Sequence, residues 1–294
     1  TSVTMNAASM ENSGFEFSAT YRNRDHAFKY DISANLSTLK NKVTSLGIGK
    51  DSYISGAYAT YVGQEIGQFY GWVYEGIART QDELDGHATQ QGANVGDCLY
   101  KDISGPNGEP DGVIDAYDQT VLGSGLPKVN FGLSTHLEYK GFDLNISTYG
   151  VLNYHVSDDI YNSLNSCYGY GNKEVGMLDA NRWSEDGTYL SSVPRTYAAN
   201  NATLAWNDLF SSRKIQNAAY WKIANVELGY NFPDKWFGGY VSGVRLYVSA
   251  QNLYTFTGYH GYNVDYAGGT FTPGYNFCSF PSARTFMCGL HFTF

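Results

Sequence analysis

The strongest constraint on the fold is a strict alternation of apolar and polar residues, which recurs along the chain. The C-terminal stretch RTFMCGLHFTF shows it most clearly, because every second residue from Phe286 to Phe294 is apolar and the residues between them form a smaller, mixed set. Side chains of a β-strand alternate between two faces, so this stretch predicts a strand with one apolar face. It is either the last strand of a β-sandwich or the closing strand of a membrane barrel.

Six further segments show the same alternation. They are residues 14–23, 27–36, 129–139, 142–150, 222–232 and 243–253. Each is roughly 9–11 residues long, which is the length a strand needs to cross a bilayer at a tilt. A weaker pair, 54–63 and 67–76, predicts a hairpin, and 80–90 predicts at most a short surface helix.

The connections between these segments are sorted by length. Residues 23–26, 140–141 and 233–242 form short links, whereas 45–128, 153–218 and 257–283 are long and rich in Gly, Asn, Asp and Tyr. Outer-membrane barrels have short periplasmic turns and long extracellular loops, whereas sandwiches seldom alternate so regularly. The sorting favours an all-β fold in which residues 1–294 form the C-terminal part of a large antiparallel transmembrane β-barrel. Residues 45–128 would then be a long extracellular loop region.

The parity of the strands indicates a partial barrel. If the C-terminus is periplasmic, the first segment descends from an outer loop, and the chain holds an odd number of strands, about seven. Bacterial single-chain barrels have even strand numbers. We therefore expect this chain to be the C-terminal portion of a longer protein. The start TSVTMNAASMENSG shows no signal peptide.

Composition excludes several classes of function. The 294 residues include 26 Tyr and 16 Phe, carry a formal net charge of -9 and show no basic stripe, so nucleic acid is not an expected partner. No run of about 18 apolar residues predicts a transmembrane helix. Of the four cysteines, Cys288 lies on the apolar face of the last strand, and Cys98, Cys167 and Cys278 lie in loop-like segments, where a disulfide is left unassigned.

Several blocks together resemble one family. They are GQEIGQFYGWVYEGIARTQDEL (63–84), VGDCLYKDISGPNGEPDGVIDAYDQTVLGSGLPKVNFGLS (95–134), YWKIANVELGYNFP (220–233), GVRLYVSAQNLYTFTGYHGYN (243–263) and ARTFMCGLHFTF (283–294). In collinear order they resemble the C-terminal region of SusC/RagA-type TonB-dependent outer-membrane transporters. The resemblance implies a barrel of about 22 strands that is plugged by an N-terminal domain. That plug has no counterpart in this chain.

The resemblance also implies partners and a location. They are a SusD-like surface lipoprotein, the TonB complex acting through the missing N-terminal part, outer-membrane lipid, and an oligosaccharide or peptide as cargo. The expected location is the outer membrane of a Gram-negative bacterium of Bacteroidetes type. The main hypothesis is an active importer rather than an enzyme. The alternatives are a passive β-rich surface binding or adhesion module that uses aromatic loops and, disfavoured, a barrel enzyme.

The stretch NGEPDGVIDAYD predicts a calcium loop. Counting Asn107 as position 1 gives the 1-3-5-7-9-12 spacing of oxygen ligands with Gly112 at position 6, where a sharp turn is needed. Position 12 is Asp rather than Glu, and the resembling family often has an uninterrupted D-x-N-G-D-G-x-I-D run, so Asp102 can replace Asn107. A solvated acidic turn is the alternative. The predicted ligands are Asp102, Asn107, Glu109, Asp111, the Val113 carbonyl, Asp115 and Asp118.

Aromatic residues in the long connections are candidate substrate-binding residues. Aromatic rings stack on sugar faces, and neighbouring Asn and Asp side chains bind hydroxyls. The alternative is a role in a membrane-interface girdle or in loop packing. The candidates are Tyr168, Tyr170, Trp183, Tyr259 and Tyr262. No HExxH, G-x-S-x-G or complete phosphate loop occurs, so no catalytic residue is predicted.

Overall fold

The computed structural model describes residues 8–47, 49–167, 172–178, 186–196, 206–237, 241–265 and 268–294. Within them almost all of the regular secondary structure is β. The strands are β1 Ser9–Ser13, β2 Glu16–Asn23, β3 Phe28–Thr38, β4 Lys40–Ser45, β5 Ser52–Ser55, β6 Tyr58–Tyr61, β7 Gln68–Gly71, β8 Tyr74–Ile77, β9 Cys98–Tyr100, β10 Thr120–Gly123, β11 Val129–Tyr139, β12 Phe142–Leu152, β13 His155–Asp158, β14 Gln216–Asn217, β15 Tyr220–Phe232, β16 Gly243–Thr257, β17 Gly268–Gly269, β18 Thr272–Pro273, β19 Tyr275–Asn276 and β20 Thr285–Thr293.

The helices are few and short. The α-helices are α1 Gln81–Asp85, α2 Asp159–Leu164 and α3 Val175–Leu178, and the 3₁₀ turns are Ala116–Asp118, Ser212–Lys214 and Asp234–Phe237. None of the helices in the described residues is long and apolar enough to span a membrane.

The main element is a seven-stranded antiparallel sheet in the order β2-β3-β11-β12-β15-β16-β20. These are the seven segments predicted from alternation, and each pairs only with its neighbours in chain order. Residues 24–27, 140–141 and 233–242 connect them at one end, and 39–128, 153–219 and 258–284 connect them at the other. We call this seven-stranded sheet the wall.

The turn between β11 and β12 shows how local sequence sets the register. Lys140 and Gly141 have φ angles of 47° and 86°. A two-residue hairpin loop with positive φ at both positions matches the right-handed twist of the flanking strands. The two strands then pair without a break from Tyr139↔Phe142 to Val129↔Leu152.

A β-bulge changes the faces of β15. Ile223 pairs with Thr148 and Asn225 with Ser147, so Ala224 is an extra residue opposite β12. A bulge of one residue inverts the alternation beyond it. As a result Trp221 lies on the same face as Val226, although their positions differ by an odd number. The apolar residues of this segment occupy even positions from Val226 to Phe232. Continuing that alternation back to Lys222 would place the lysine on the apolar face, but the bulge turns it to the other face.

A separate two-stranded sheet follows the wall at its long-loop end. β1 pairs with β4 there, and a Cβ on Gly14 would lie 2.0 Å from the Thr38 carbonyl oxygen, so the chain crosses closely at the junction. Above it lies an outer layer of loops with small sheets. The predicted hairpin is confirmed by the pairing of Tyr58 with Phe69 in β6 and β7, whereas β8 pairs with β9 instead. The predicted short helix is α1, capped by Thr80.

Candidate transport wall and outer-loop clefts

One face of the wall is apolar and exposed. The strand registers align a row of apolar side chains across six strands: Tyr30, Leu137, Leu144, Leu228, Val248 and Cys288. Val248 is 51% exposed and Phe286 is 69% exposed. A soluble sheet would bury such a face against a second layer. Among the described residues no second layer covers these exposed side chains, and a face of this extent fits a hydrocarbon environment.

Aromatic residues border this face at both ends. At the short-turn end, Phe142 lies 4.6 Å from Tyr230 and Phe232 lies 5.8 Å from Trp236, ring centroid to centroid. At the long-loop end, Trp221 stacks on Phe256 at 5.3 Å. Eleven residue steps separate Trp221 from Phe232 in β15. At about 3.3 Å per residue and a tilt of about 40°, the two belts lie roughly 28 Å apart, close to the apolar band of outer-membrane barrels.

The opposite face carries charged and polar residues. Arg245 is the centre of one network, because its guanidinium contacts both Asp143 carboxylate oxygens and lies 2.7 Å from Glu227 Oε1. Asn231 donates an amide hydrogen bond to Asp143 at 2.9 Å. A cation held by two carboxylates is preorganised and cannot face hydrocarbon. This face is therefore a polar surface that requires water or protein against it.

A second network lies on the same face toward β3. Lys29 Nζ lies 3.1 Å from Glu138 Oε2, and the other oxygen of Glu138 lies 2.9 Å from His136 Nε2. His136 Nδ1 lies 2.6 Å from Asn145 Oδ1, and Arg24, in the turn before β3, pairs with Asp31 of β3. Asp31, Asn145, Glu227 and Arg245 thus share one face of the wall.

Close packing on this face fixes the last strand. Tyr247 of β16 pairs with Gly289 of β20, and a Cβ at Gly289 would lie 2.5 Å from atoms of the Tyr247 ring. The Arg245 guanidinium lies 5.2 Å from the centre of the same ring. A side chain at position 289 would have to displace the end of this ring, so the pair favours the observed register between β16 and β20.

Buried polar clusters join the outer loops. Asp97, only 1% exposed, accepts two hydrogen bonds from Arg195 at 2.6 and 2.8 Å and one from Asn207 at 2.7 Å. Asn207 in turn accepts the backbone N–H of Cys98 at 2.7 Å. This cluster ties the loop before β11 to the loop before β15. Buried ion pairs of this kind fix one arrangement of the segments they join.

A second cluster ties the loop before β15 to the loop before β20. The Tyr259 hydroxyl donates to Asp158, and Asn276 Nδ2 lies 2.7 Å from the Tyr259 oxygen. Asp158 also caps α2 through the Tyr161 N–H at 2.9 Å. Burial raises the pKa of the Tyr259 hydroxyl, so it remains a proton donor. The outer loops are therefore a connected layer above the wall.

Two polar clefts open beside this second cluster. The first, of about 330 Å³, is lined by Lys222 and Asp265, by the β16 end around Thr255, and by Tyr262 and Arg284. The second, of about 310 Å³, is lined by Gln216, Asn217 and His260. His260 stacks on Tyr161 at 5.7 Å and 16°, which leaves a flat aromatic surface next to amide groups. Such surfaces bind sugar rings and other planar polar groups.

The predicted substrate-binding residues are distributed unevenly. Tyr262 is 67% exposed at the rim of the first cleft. Tyr259 also lines this cleft, but it is buried and its hydroxyl is bound to Asp158. Tyr168, Tyr170 and Trp183 lie outside the described residues. Substrate contact by these five residues stays a prediction.

The acidic loop is closed by hydrogen bonds to its own backbone. Asp118 is fully buried and accepts the N–H groups of Ile103, Ser104 and Asp115 at 2.8–3.1 Å. Asp102 accepts the Gly112 N–H at 2.6 Å, and its other oxygen is buried without a partner among the described residues. Asp111 accepts the N–H of Val113, and Asp115 accepts the N–H of Tyr117. The side chains of Asn107 and Glu109 are exposed.

No group of three or more His, Cys, Asp or Glu side chains in the described part of the chain is arranged to hold a metal ion. The calcium site stays a prediction. The four cysteines form no disulfide; Cys98 and Cys167 are buried, and Cys278 and Cys288 are exposed. Burial raises the pKa of the Cys98 thiol to about 12.

Sequence reasoning missed three residues of the wall and clefts. Asp143 was not named from the sequence as a member of a charge cluster. The available signal was that its carboxylate lies two positions before Asn145 and therefore on the same face of the strand. Lys222 and Asp265 form an ion pair of 2.5 Å. Because the bulge reverses the face of Lys222, alternation alone could not place it.

The fold and its two faces define a segment of wall from an outer-membrane type of β-barrel. The comparisons with known proteins agree. The chain is 32% identical over 308 residues to TonB-dependent receptor P3 of Formosa agariphila, covering 98% of this chain and 29% of that receptor. It is 26% identical over 307 residues to TonB-dependent receptor SusC of Bacteroides thetaiotaomicron, covering 99% of this chain and 27% of SusC. No family model matches.

The solved structures give the same fold. The RagAB peptide transporter matches with a TM-score of 0.74 at 21% identity, over 97% of this chain and 29% of that chain. The RagAB peptide importer in its closed-closed state matches with a TM-score of 0.73 at 20% identity, over 97% of this chain and 30% of that chain. The resemblance to SusC/RagA-type TonB-dependent transporters is thus confirmed over nearly the whole chain, which spans about 30% of the length of these relatives.

Proposed function

We propose that this chain is part of the barrel of an outer-membrane TonB-dependent importer that takes up an oligomeric nutrient. The observation that carries the proposal is the wall, with its exposed apolar face on one side and the Arg245 network on the other. Similarity to TonB-dependent receptors over 98% of the chain supports it. The chain supplies lipid contact, a polar lining and a connected outer-loop layer, and no catalytic role is included.

The proposed cycle begins at the outer loops. Cargo, an oligosaccharide or a peptide, is captured at the clefts, a SusD-like lipoprotein closes over it, and TonB then pulls on a plug to open the path. The two buried clusters support the capture step, because loops tied by Asp97 and Asp158 lose little conformational freedom when cargo binds. The flat surface of Tyr161 and His260 favours sugars.

The test is uptake by cells that carry the full-length protein. We expect uptake of labelled oligosaccharides or peptides to require the protein, TonB and the proton-motive force, and a lipoprotein to co-purify with it. Intact mass with peptide mapping would give a protein several times larger than 32.5 kDa. Full-length protein that stays folded in water without detergent would refute the barrel.

The second candidate function is passive surface binding or adhesion. Exposed aromatic residues of the outer loops, such as Tyr262, are the observation that favours it. Energy dependence separates the two functions. An adhesion module retains its ligand equally in energised and de-energised cells, whereas an importer accumulates cargo inside the outer membrane only when TonB is active.

A further inference from the structure

The long-loop end of β16 has a free edge. Gln251 pairs with Thr285, the first residue of β20, and beyond that point β16 continues to Thr257 with β15 on one side only. Alternate residues of an antiparallel strand direct N–H and C=O groups to each side. Within the described residues, Tyr254–Thr257 makes no backbone hydrogen bond outside the pairing with β15. This edge therefore presents unused donors and acceptors.

The 330 Å³ cleft lies along this edge. Its lining includes Tyr254, Thr255 and Thr257 of this unpaired stretch, Asn263 to Asp265 of the following loop, and Ser282 and Arg284 just before β20. Two side-chain amide groups hold the segments around it together. Asn252 Nδ2 donates to the Ala283 carbonyl and Asn263 Nδ2 to the Phe280 carbonyl, both at 2.9 Å. These two bonds attach the segment before β20 to β16 and to the loop that follows β16, so the cleft is a built feature of the loop layer.

The charges in the cleft leave one cation free. Lys222 and Asp265 neutralise each other across 2.5 Å. Arg284 is exposed at the point where β20 begins, and it forms no ion pair within the described residues. A guanidinium binds a carboxylate through two parallel hydrogen bonds. The preferred ligand therefore carries a carboxylate.

We propose that this cleft binds an extended peptide, which adds to the free edge of β16 as a short strand and places a carboxylate against Arg284. A peptide repeats its N–H and C=O groups about every 6.8 Å along one side, which matches a strand edge, whereas sugar hydroxyls have no such repeat. The volume accommodates a few residues. The inference rests on the proposed import function and names peptide as the ligand of this site.

The experiment uses the full-length protein in detergent and short peptides from a casein digest. Retained peptides are identified by mass spectrometry, and the strongest is resynthesised with and without N-methyl groups on alternate amides. We expect Arg284→Gln to weaken binding about tenfold, and N-methylation to weaken it at least as much. Lys235→Gln, which removes an exposed cation at the opposite end of the wall, is the matched control and should bind as the parent does.

Two outcomes would overturn the proposal. One is that no digest peptide is retained, while a galacturonate oligosaccharide binds and depends on Arg284. The other is that N-methylated peptides bind as well as the parent peptide. Neither outcome affects the import function, which is tested separately by the dependence of uptake on TonB.

Discussion

Tyr247 occupies the space that a side chain at position 289 would need, with ring atoms 2.5 Å from the Cβ that Gly289 lacks. This contact joins β16 to β20. We expect Gly289→Ala to force the ring out of place and to destabilise the barrel by about 1–3 kcal/mol. Gly243→Ala is the control, since its Cβ would lie 3.7 Å from Thr293. The folded fraction of full-length protein, read from heat-dependent migration in SDS gels, checks the difference; equal fractions would contradict it.

Arg245 holds Asp143, whose side chain is 7% exposed. We expect Arg245→Met to leave this carboxylate without its cation and to cost about 2–3 kcal/mol, less than a fully buried pair because Arg245 is partly exposed. Lys29→Met, in the exposed pair with Glu138, should cost at most about 1 kcal/mol. Denaturant midpoints of the full-length protein in detergent compare the two; a larger loss for Lys29→Met would contradict the assignment.

The Tyr259 hydroxyl joins two outer loops through Asp158. We expect Tyr259→Phe to leave Asp158 short of one donor and to destabilise the loop layer by about 1–2 kcal/mol. Tyr262→Phe changes an exposed ring and should have no effect on stability. Hydrogen exchange of residues 155–165 measures the local opening. Unchanged exchange in Tyr259→Phe would show that Asn276 alone is sufficient.

The Cys98 thiol should be unreactive. Burial raises its pKa from 9.0 to about 12, so the folded state keeps the proton while an unfolded chain would lose it from about pH 9 upward. The stability linked to this group is therefore complete below pH 9 and falls as pH rises from 9 to 12. We expect iodoacetamide to modify exposed Cys278 and to spare Cys98 at pH 8, as measured by peptide mapping. Equal labelling would contradict the buried position.

Calcium binding is testable by isothermal titration of the full-length protein. We expect the parent to bind and the double variant Asp111→Ala, Asp115→Ala to lose binding. Because Asp115 also caps the following turn, Asp111→Asn serves as a milder variant that leaves this cap in place. A parent protein that does not bind calcium would refute the prediction, and the loop would then be a hydrogen-bonded turn.

The wall could be predicted from the sequence because its two faces lie in different environments, one apolar and one polar, and period-two alternation follows from that difference. Phe286 to Phe294 and the six other segments all became strands of one sheet. The site was less predictable. The face of Lys222 depends on the bulge at Ala224, and the partnership of Asp143 with Arg245 spans 102 residues in sequence. Likewise, the sequence identifies Tyr259 only as an aromatic residue in a loop, and the hydrogen bond from its hydroxyl to Asp158 is visible only in the fold.

The strictly sequential order of the wall strands has a consequence for how such barrels change in size. Each strand of the wall pairs only with the wall strands before and after it along the chain, so no connection within the sheet crosses another. Duplicating or deleting the hairpin of β11 and β12 would change the circumference by two strands without rerouting the chain. Pore diameter in this architecture is therefore adjustable by gene duplication of a unit, one hairpin with its outer loop, rather than by redesign of the whole.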